Sequence, residues 1–382
     1  MYDFTFHNPT KIIFGRNTEV QIGSELKNAG ISKVLFVFGK SSIKASGLYD
    51  RVVESLNQSG IHFTEFSGVS SNPILSHTHR GVRLAMQAKV QAVLAVGGGS
   101  VIDESKAIAV GAVSDKDVWE YFIGEQVTRA LPVFTILTLA ATGSEMNGNA
   151  VITREETQQK YNIGSAHVYP KVSILNPELT FSVSPEYSAY GAVDAIAHVI
   201  EGYFTSRLGG PAIQDRLVEN IIRTVIDTQN VIAREPDNYN ARAEFMWAAT
   251  LALNGLPPAG IGAYSFPNHM IEHALSAMFN IAHGAGLAIV IPAWMRWYQP
   301  LKRDKFRRFA QEIFGLETGE QGIDALEDWF EKIGAPIRLD DAGIPASDID
   351  SIAENANTLA RRWGIDDVYT PGVIAEILRL AV

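Results

Sequence analysis

Asp194 and His198 stand four residues apart in the run GAVDAIAHVIEGY, which has the regular apolar character of a helix, so both side chains leave one face. His269 and His273 repeat that spacing in HMIEHALSAMFNIAHG, and His283 follows ten residues later. Three of the nine histidines therefore fall within fifteen residues. Taken singly, each has an ordinary structural reading, as a hydrogen-bonded core histidine or a local Asp–His contact. Two such clusters in helical segments point instead to metal chemistry. There is no cysteine, so thiolate ligands and disulfides are excluded and an ion must sit on nitrogen and oxygen. One carboxylate and three imidazoles would hold a divalent ion such as Fe²⁺ or Zn²⁺ and leave a position for a substrate oxygen. His7, His62, His77, His79 and His167 have no such company and read as structural.

A second chemistry is written in LAVGGGSVIDESK, Leu94–Lys106. A strand runs into Gly97, Gly98 and Gly99, then Ser100, then a helix. Glycines let backbone approach an anion closely, and a fresh helix N-terminus offers it unpaired N–H groups. Ser100 and Asp103 have the spacing of a capping box. Thr138–Asn149, TLAATGSEMNGN, follows another strand and is rich in hydroxyl and amide groups. Two loops that follow parallel strands share one sheet edge, the edge where open α/β folds bind ligands. Together they favour a nucleotide site.

The elements that must carry these residues change character along the chain. Lys33–Phe38, Val90–Val96 and Val133–Leu137 read as buried strands, and His62–Phe66 as a shorter one. Helical stretches near Tyr49–Ser59 and Ser76–Ala88 alternate with them. That alternation predicts a parallel sheet covered on both faces. From Pro185 onward the pattern is helical, at Glu186–Thr205, Ile213–Arg234, Tyr239–Asn254, Asn268–Met278 and Asp304–Ile313. The expected organisation is an α/β dinucleotide-binding domain over 1–184 and an all-helical metal- and substrate-binding domain over 185–382. A chain of 382 residues is long enough for two cores.

A formal charge of -10 argues against nucleic acid and anionic membrane, which select basic surfaces. The apolar runs, such as Leu287–Ala293, are too short to span a bilayer. MYDFTFHNPTKIIFG lacks the layout of a signal peptide, and a cytoplasmic enzyme is expected.

With these blocks in view, the sequence resembles the iron-containing (group III) alcohol dehydrogenases, in their NADPH-dependent aldehyde reductase and butanol dehydrogenase branch. FHNPTKIIFG, GGGSVIDESK, TLAATGSEMN, GAVDAIAHVIEGY and HMIEHALSAMFNIAHG carry the likeness nearly end to end, and it thins after about residue 300. The resemblance implies a dehydroquinate synthase-like fold and hydride transfer between a nicotinamide dinucleotide and a small alcohol–aldehyde pair. It implies Asp194, His198, His269 and His283 as ligands of one divalent ion, and His273 as a proton relay. It also implies cofactor contacts at Gly97, Gly98, Gly99, Ser100, Asp103, Thr138, Leu139, Thr142, Asn147, Asn149 and Lys160, with Asn72 a further one, and a homodimer, joined through Thr5–Phe14.

Position 40 bears on the choice of cofactor. NAD-preferring relatives resemble one another in having an aspartate there, which accepts from the ribose 2′-hydroxyl and repels a 2′-phosphate. Here the stretch is Gly39, Lys40, Ser41, Ser42, a cation and two hydroxyls suited to a dianionic phosphate. NADP(H) is therefore expected ahead of NAD(H). The competing expectations are a glycerol dehydrogenase-like polyol oxidoreductase of the same fold, and a metallohydrolase with no use for GGGS.

Overall fold

The computed structural model describes residues 1–207 and 209–382 and divides into two compact units. His7–Val183 with Asp237–Thr250 form an α/β unit. Met1–Phe6, Ser184–Pro236 and Leu251–Val382 form a helical one.

The α/β unit is built on a six-stranded, wholly parallel sheet. Its strands are β1 (Lys11–Phe14), β2 (Lys33–Phe38), β3 (His62–Ser67), β4 (Ala92–Gly97), β5 (Val133–Leu137) and, after an antiparallel hairpin of β6 (Asn149–Arg154) and β7 (Gln159–Gly164), β8 (Val172–Leu175). The spatial order is β1-β8-β5-β4-β2-β3. β4 and β5 are buried at every position, as strands covered on both faces must be. Val34, Phe36 and Phe38 align with Ala92, Leu94 and Val96, and Leu94 with Phe134. Their shared face, extended by Ile136, Val172 and Ile174, packs on Ile22, Leu26, Val52 and Leu56 from two helices. Full burial of a side chain such as Phe36 contributes about 1.5–3 kcal/mol, so this period-two face is a main source of stability.

Three features depart from the sequence expectations. Thr5–Thr10 has no strand; only Lys11–Phe14 is extended, and it pairs in parallel with β8 of its own chain. The β6–β7 hairpin was not foreseen, nor was its tie to the Asn72–Pro73 segment, where Thr153 N–H donates to Pro73 O at 2.9 Å. The expected capping box at Ser100 and Asp103 is absent: helix Gly99–Gly111 has Gly98 as N-cap without a side-chain cap. Ser100 Oγ donates to Ser71 O, and Asp103 accepts from Ser144 Oγ and Val151 N–H. The loop beyond β5 and the 68–72 segment compete for those side chains and win.

In the helical unit, Ser184 caps helix Pro185–Thr205 by accepting from Tyr187 N–H, and Pro185 sits in the first turn, where its missing N–H is harmless. The helix is buried along nearly its whole length. Helix Pro267–Phe279 also opens on proline, and helix His283–Tyr298 begins at His283 itself. The stretch expected at Asp304–Ile313 is a helix, Arg303–Phe309, continued by a π turn. Helices Ala212–Ile232, Gly319–Lys332, Ile349–Trp363 and Pro371–Arg379 also belong to the unit. No helix among the described residues is long and apolar enough to cross a membrane.

Candidate metal centre and dinucleotide loops

Asp194 and His198 lie one turn apart on the same face of helix Pro185–Thr205, and both are buried. His269 comes from helix Pro267–Phe279 and His283 from the start of the next helix. Nε2 of His198, His269 and His283 lie 3.6, 3.9 and 3.5 Å from a single atom, Oδ1 of Asp194. These distances are too long for good hydrogen bonds. Ligands about 2.0–2.1 Å from a tetrahedral ion stand roughly 3.4 Å apart, so each distance to Asp194 Oδ1 suits a shared ion. Ligand atoms of Asp194, His198 and His269 all lie within 4.8 Å of one another, whereas His283 groups in that way with Glu272 and His273. Asp194 Oδ1 and His269 Nε2 are buried with no hydrogen-bond partner among the described residues, which strands two polar groups at great cost unless a cation joins them. The donor set, three imidazoles and a carboxylate, suits a divalent transition ion.

Two carboxylates hold the imidazoles in place. Glu201 Oε1 accepts from His269 Nδ1–H at 2.9 Å, and Glu272 Oε2 pairs with His283 Nδ1. Such partners fix ring orientation and present the other nitrogen to an ion. Sequence reasoning missed both, although a signal was present. Glu201 follows Asp194 and His198 at helical spacing, and all three are ionisable residues in a run otherwise apolar. Close helix packing also depends on the HGAG stretch. A Cβ on Gly284 would lie 2.2 Å from Tyr190 O, so only glycine lets His283 approach the helix bearing Asp194.

The electrostatics follow from this crowding. Burial opposes charge on Asp194, but the imidazoles of His198 and His283 hold its carboxyl down, to about 2. Burial pulls His198 down to about 4, leaving a neutral ring. Burial would lower His269 as well, yet the carboxylates of Asp194 and Glu201 raise it to about 9. His273, also buried, is not among the three rings that face Asp194. Its ring is tilted against that of His283, with centres 5.8 Å apart, and meets Trp363 edge to face at 6.1 Å.

In the α/β unit, β2 leads on to β3 at one edge, whereas β4 returns to the other side of β2 and the sheet grows away from it. The strand order therefore reverses between β2 and β4, and ligands of open α/β sheets bind outside the carboxyl ends at such a point. Gly39–Ser42 follow β2 there, with Lys40, Ser41 and Ser42 exposed, and Gly97–Ser100 follow β4. Thr138, Leu139 and Thr142 follow the adjacent β5. A Cβ on Gly99 would sit 2.3 Å from Thr142 Oγ1, so the two loops touch only because Gly99 has no side chain. Lys160 on β7 and Asn72 are both buried and meet at 3.3 Å. Asn147 turns its amide back into its own loop, donating to Gly143 O at 2.9 Å and accepting from Asn149 N–H at 2.9 Å.

Both units match a single family. Residues 9–177 match the iron-containing alcohol dehydrogenases, and residues 188–368 match the C-terminal part of the Fe-containing alcohol dehydrogenase family. The chain belongs to this family of oxidoreductases. It is 43% identical over 365 residues to a probable NADH-dependent butanol dehydrogenase 1 of Bacillus subtilis, covering 93% of this chain and 94% of that protein. It is 36% identical to the NADPH-dependent aldehyde reductase YqhD of Escherichia coli, covering 92% of each. The crystal structure of NADH-dependent butanol dehydrogenase A from Thermotoga maritima superposes with a TM-score of 0.97 at 48% identity, covering 100% of this chain and 99% of that one.

Proposed function

We propose that this protein interconverts a small alcohol and its aldehyde, using one divalent ion, iron(II) or zinc(II), and NADP(H) as the preferred hydride partner. The observation that carries the reading is the convergence of three Nε2 atoms on the buried Asp194 Oδ1. When bound, the ion supplies a Lewis acid for the substrate oxygen and the nicotinamide gives or takes the hydride.

The chain's own residues hold and orient. Asp194 offsets part of the cation's charge, while His198, His269 and His283 supply neutral nitrogen. Glu201 and Glu272 keep the second and third of those rings from turning. An alcohol must lose a hydroxyl proton as it is oxidised, and His273, its ring centre 5.8 Å from that of His283, would carry it away. Gly97–Ser100 and the N-terminus of helix Gly99–Gly111 would take the pyrophosphate. Asp103 and Asn147, whose side chains bond within the protein, would act by shaping the loop.

Cofactor choice rests on position 40. Lys40, Ser41 and Ser42 stand exposed at the carboxyl end of β2, and a lysine there would pair with a 2′-phosphate. The test is consumption of NADPH and NADH over a panel of aldehydes, with chelator and with Fe²⁺ or Zn²⁺ restored. Turnover that is chelator-sensitive and faster with NADPH is expected; full activity in the metal-stripped protein would end the reading. Lys40→Asp should move preference toward NADH, and an unchanged ratio would refute the role given to Lys40.

A further inference from the structure

Lys106 lies seven residues beyond Gly99 on the helix that opens at the glycine-rich turn, and its side chain is fully buried. Its Nζ stands 2.7 Å from Ser144 O, 2.9 Å from Ser144 Oγ, 2.9 Å from Asn147 O, 3.2 Å from Asn147 Oδ1 and 2.7 Å from Asn149 O. An ammonium has three protons, so these five oxygens share them, much as ligands share a metal cation. One turn earlier, Asp103 accepts from Ser144 Oγ through one oxygen and from Val151 N–H at 3.0 Å through the other. The loop from Gly143 to Val151 is thus fastened to the helix of the other loop by one cation and one anion. Thr142, against the bare Cα of Gly99, closes the near end.

Burying an ammonium is expensive and weak evidence for stability in itself. Burial pulls Lys106 down to about 8, while Asp103 and Glu145 beside it favour the proton. A tie needed only for folding could be made by apolar packing. Other ties of the loop run elsewhere, from Asn8 Nδ2 to Met146 O, Ser173 Oγ to Glu145 O, Thr250 Oγ1 to Glu145 Oε1 and Ser165 N–H to Gly148 O. What the five-oxygen clamp adds is a fixed geometry relative to the helix of the glycine-rich turn.

We propose that Lys106 is a positioning residue for the dinucleotide: its ammonium locks the 143–149 loop to the glycine-rich turn, so that both loops meet the cofactor as one preformed surface. This rests on reading those loops as the dinucleotide site. A loop already ordered loses little further freedom on binding, whereas a loosened one must be ordered by the ligand. Losing the clamp therefore weakens cofactor binding and leaves the metal centre, held by other elements, intact.

The experiment compares wild type, Lys106→Met and Ser144→Ala as holoenzymes, titrated with NADPH and with NADH. Bound metal, kcat, cofactor KM and thermal midpoint are read on each. Lys106→Met should raise the cofactor Kd and KM by about tenfold, with kcat at saturating cofactor nearly unchanged and metal content at the wild-type level. Ser144→Ala, which removes one acceptor and the link to Asp103, should move Kd and KM the same way by a smaller factor. A folded variant of Lys106 with the wild-type Kd overturns the proposal, whatever its thermal midpoint. If Lys106→Met does not fold, an unaltered Kd in Ser144→Ala overturns it. A wild type that binds neither dinucleotide overturns the underlying reading of the loops, and the proposal with it.

Discussion

Glu201 Oε1 lies 2.9 Å from His269 Nδ1 and 3.0 Å from the backbone N of the same residue, while its second oxygen accepts from Asn268 Nδ2 at 3.0 Å. One carboxylate thereby fixes the tautomer of His269 and the first turn of the helix that carries it. Glu201→Gln keeps the shape but exchanges an acceptor for an amide. Metal affinity should fall by about 10- to 100-fold, as is usual when such a partner is removed. Competition with a chromophoric chelator measures it, and an affinity equal to wild type would show Glu201 to be packing only.

The same carboxylates predict a pH dependence of metal uptake. In the metal-free chain His269 is raised from 6.5 to about 9, so its contribution to stability is full below 6.5 and is lost as pH rises through about 9. An ion binds only the neutral ring, so uptake near neutral pH must displace that proton. Affinity should climb with pH by up to about tenfold per unit and level off above the raised value. Calorimetry in buffers of different ionisation enthalpy would detect the released proton; none at pH 7 would contradict the assignment.

Asp194→Asn removes the charge on which three imidazoles converge and leaves the volume unchanged. Bound metal should be lost and kcat/KM should fall on the order of a thousandfold, about 4 kcal/mol of transition-state stabilisation. Elemental analysis with steady-state kinetics decides this. A fully metallated, active variant would move the centre elsewhere.

Gly284→Ala changes no ligand. Its Cβ would meet the backbone of Tyr190, at 2.2 Å from the carbonyl oxygen, and backbone cannot swing aside. We expect a loss of about 1–3 kcal/mol in stability and weakened metal retention, because His283 is the neighbouring residue. Denaturant melts and chelator-challenge rates measure the two effects. Wild-type values for both would mean that the helices have slack at this contact.

Much of the fold was legible in local pattern. β2, β4 and β5 announce themselves as continuous apolar runs because a parallel sheet buries both faces. Helix Pro185–Thr205 is marked by Ser184 and Pro185 at its start. The β6–β7 hairpin was hidden because NAVITR and QKYNIG mix polar and apolar residues and are joined by charged and polar ones. Lys106 was hidden for a different reason. A lysine on a helix is ordinarily a solvated charge, and nothing nearby in the chain names the oxygens that surround it.

The sequence by itself determined the chemistry available: no thiolate, histidines and an aspartate at helical spacing, and glycines where a strand meets a helix. Those are properties of residue type and of distances along one element. Tertiary structure decided which partners each group takes. Asp194 Oδ1 faces rings from three helices, Asp103 leaves its own helix cap for Ser144 and Val151, and Glu201 and Glu272 reach rings 68 and 11 residues away in the chain. A buried polar group must be satisfied by whatever packing brings near it. That neighbour is chosen by the whole fold and not by the residues beside it in sequence.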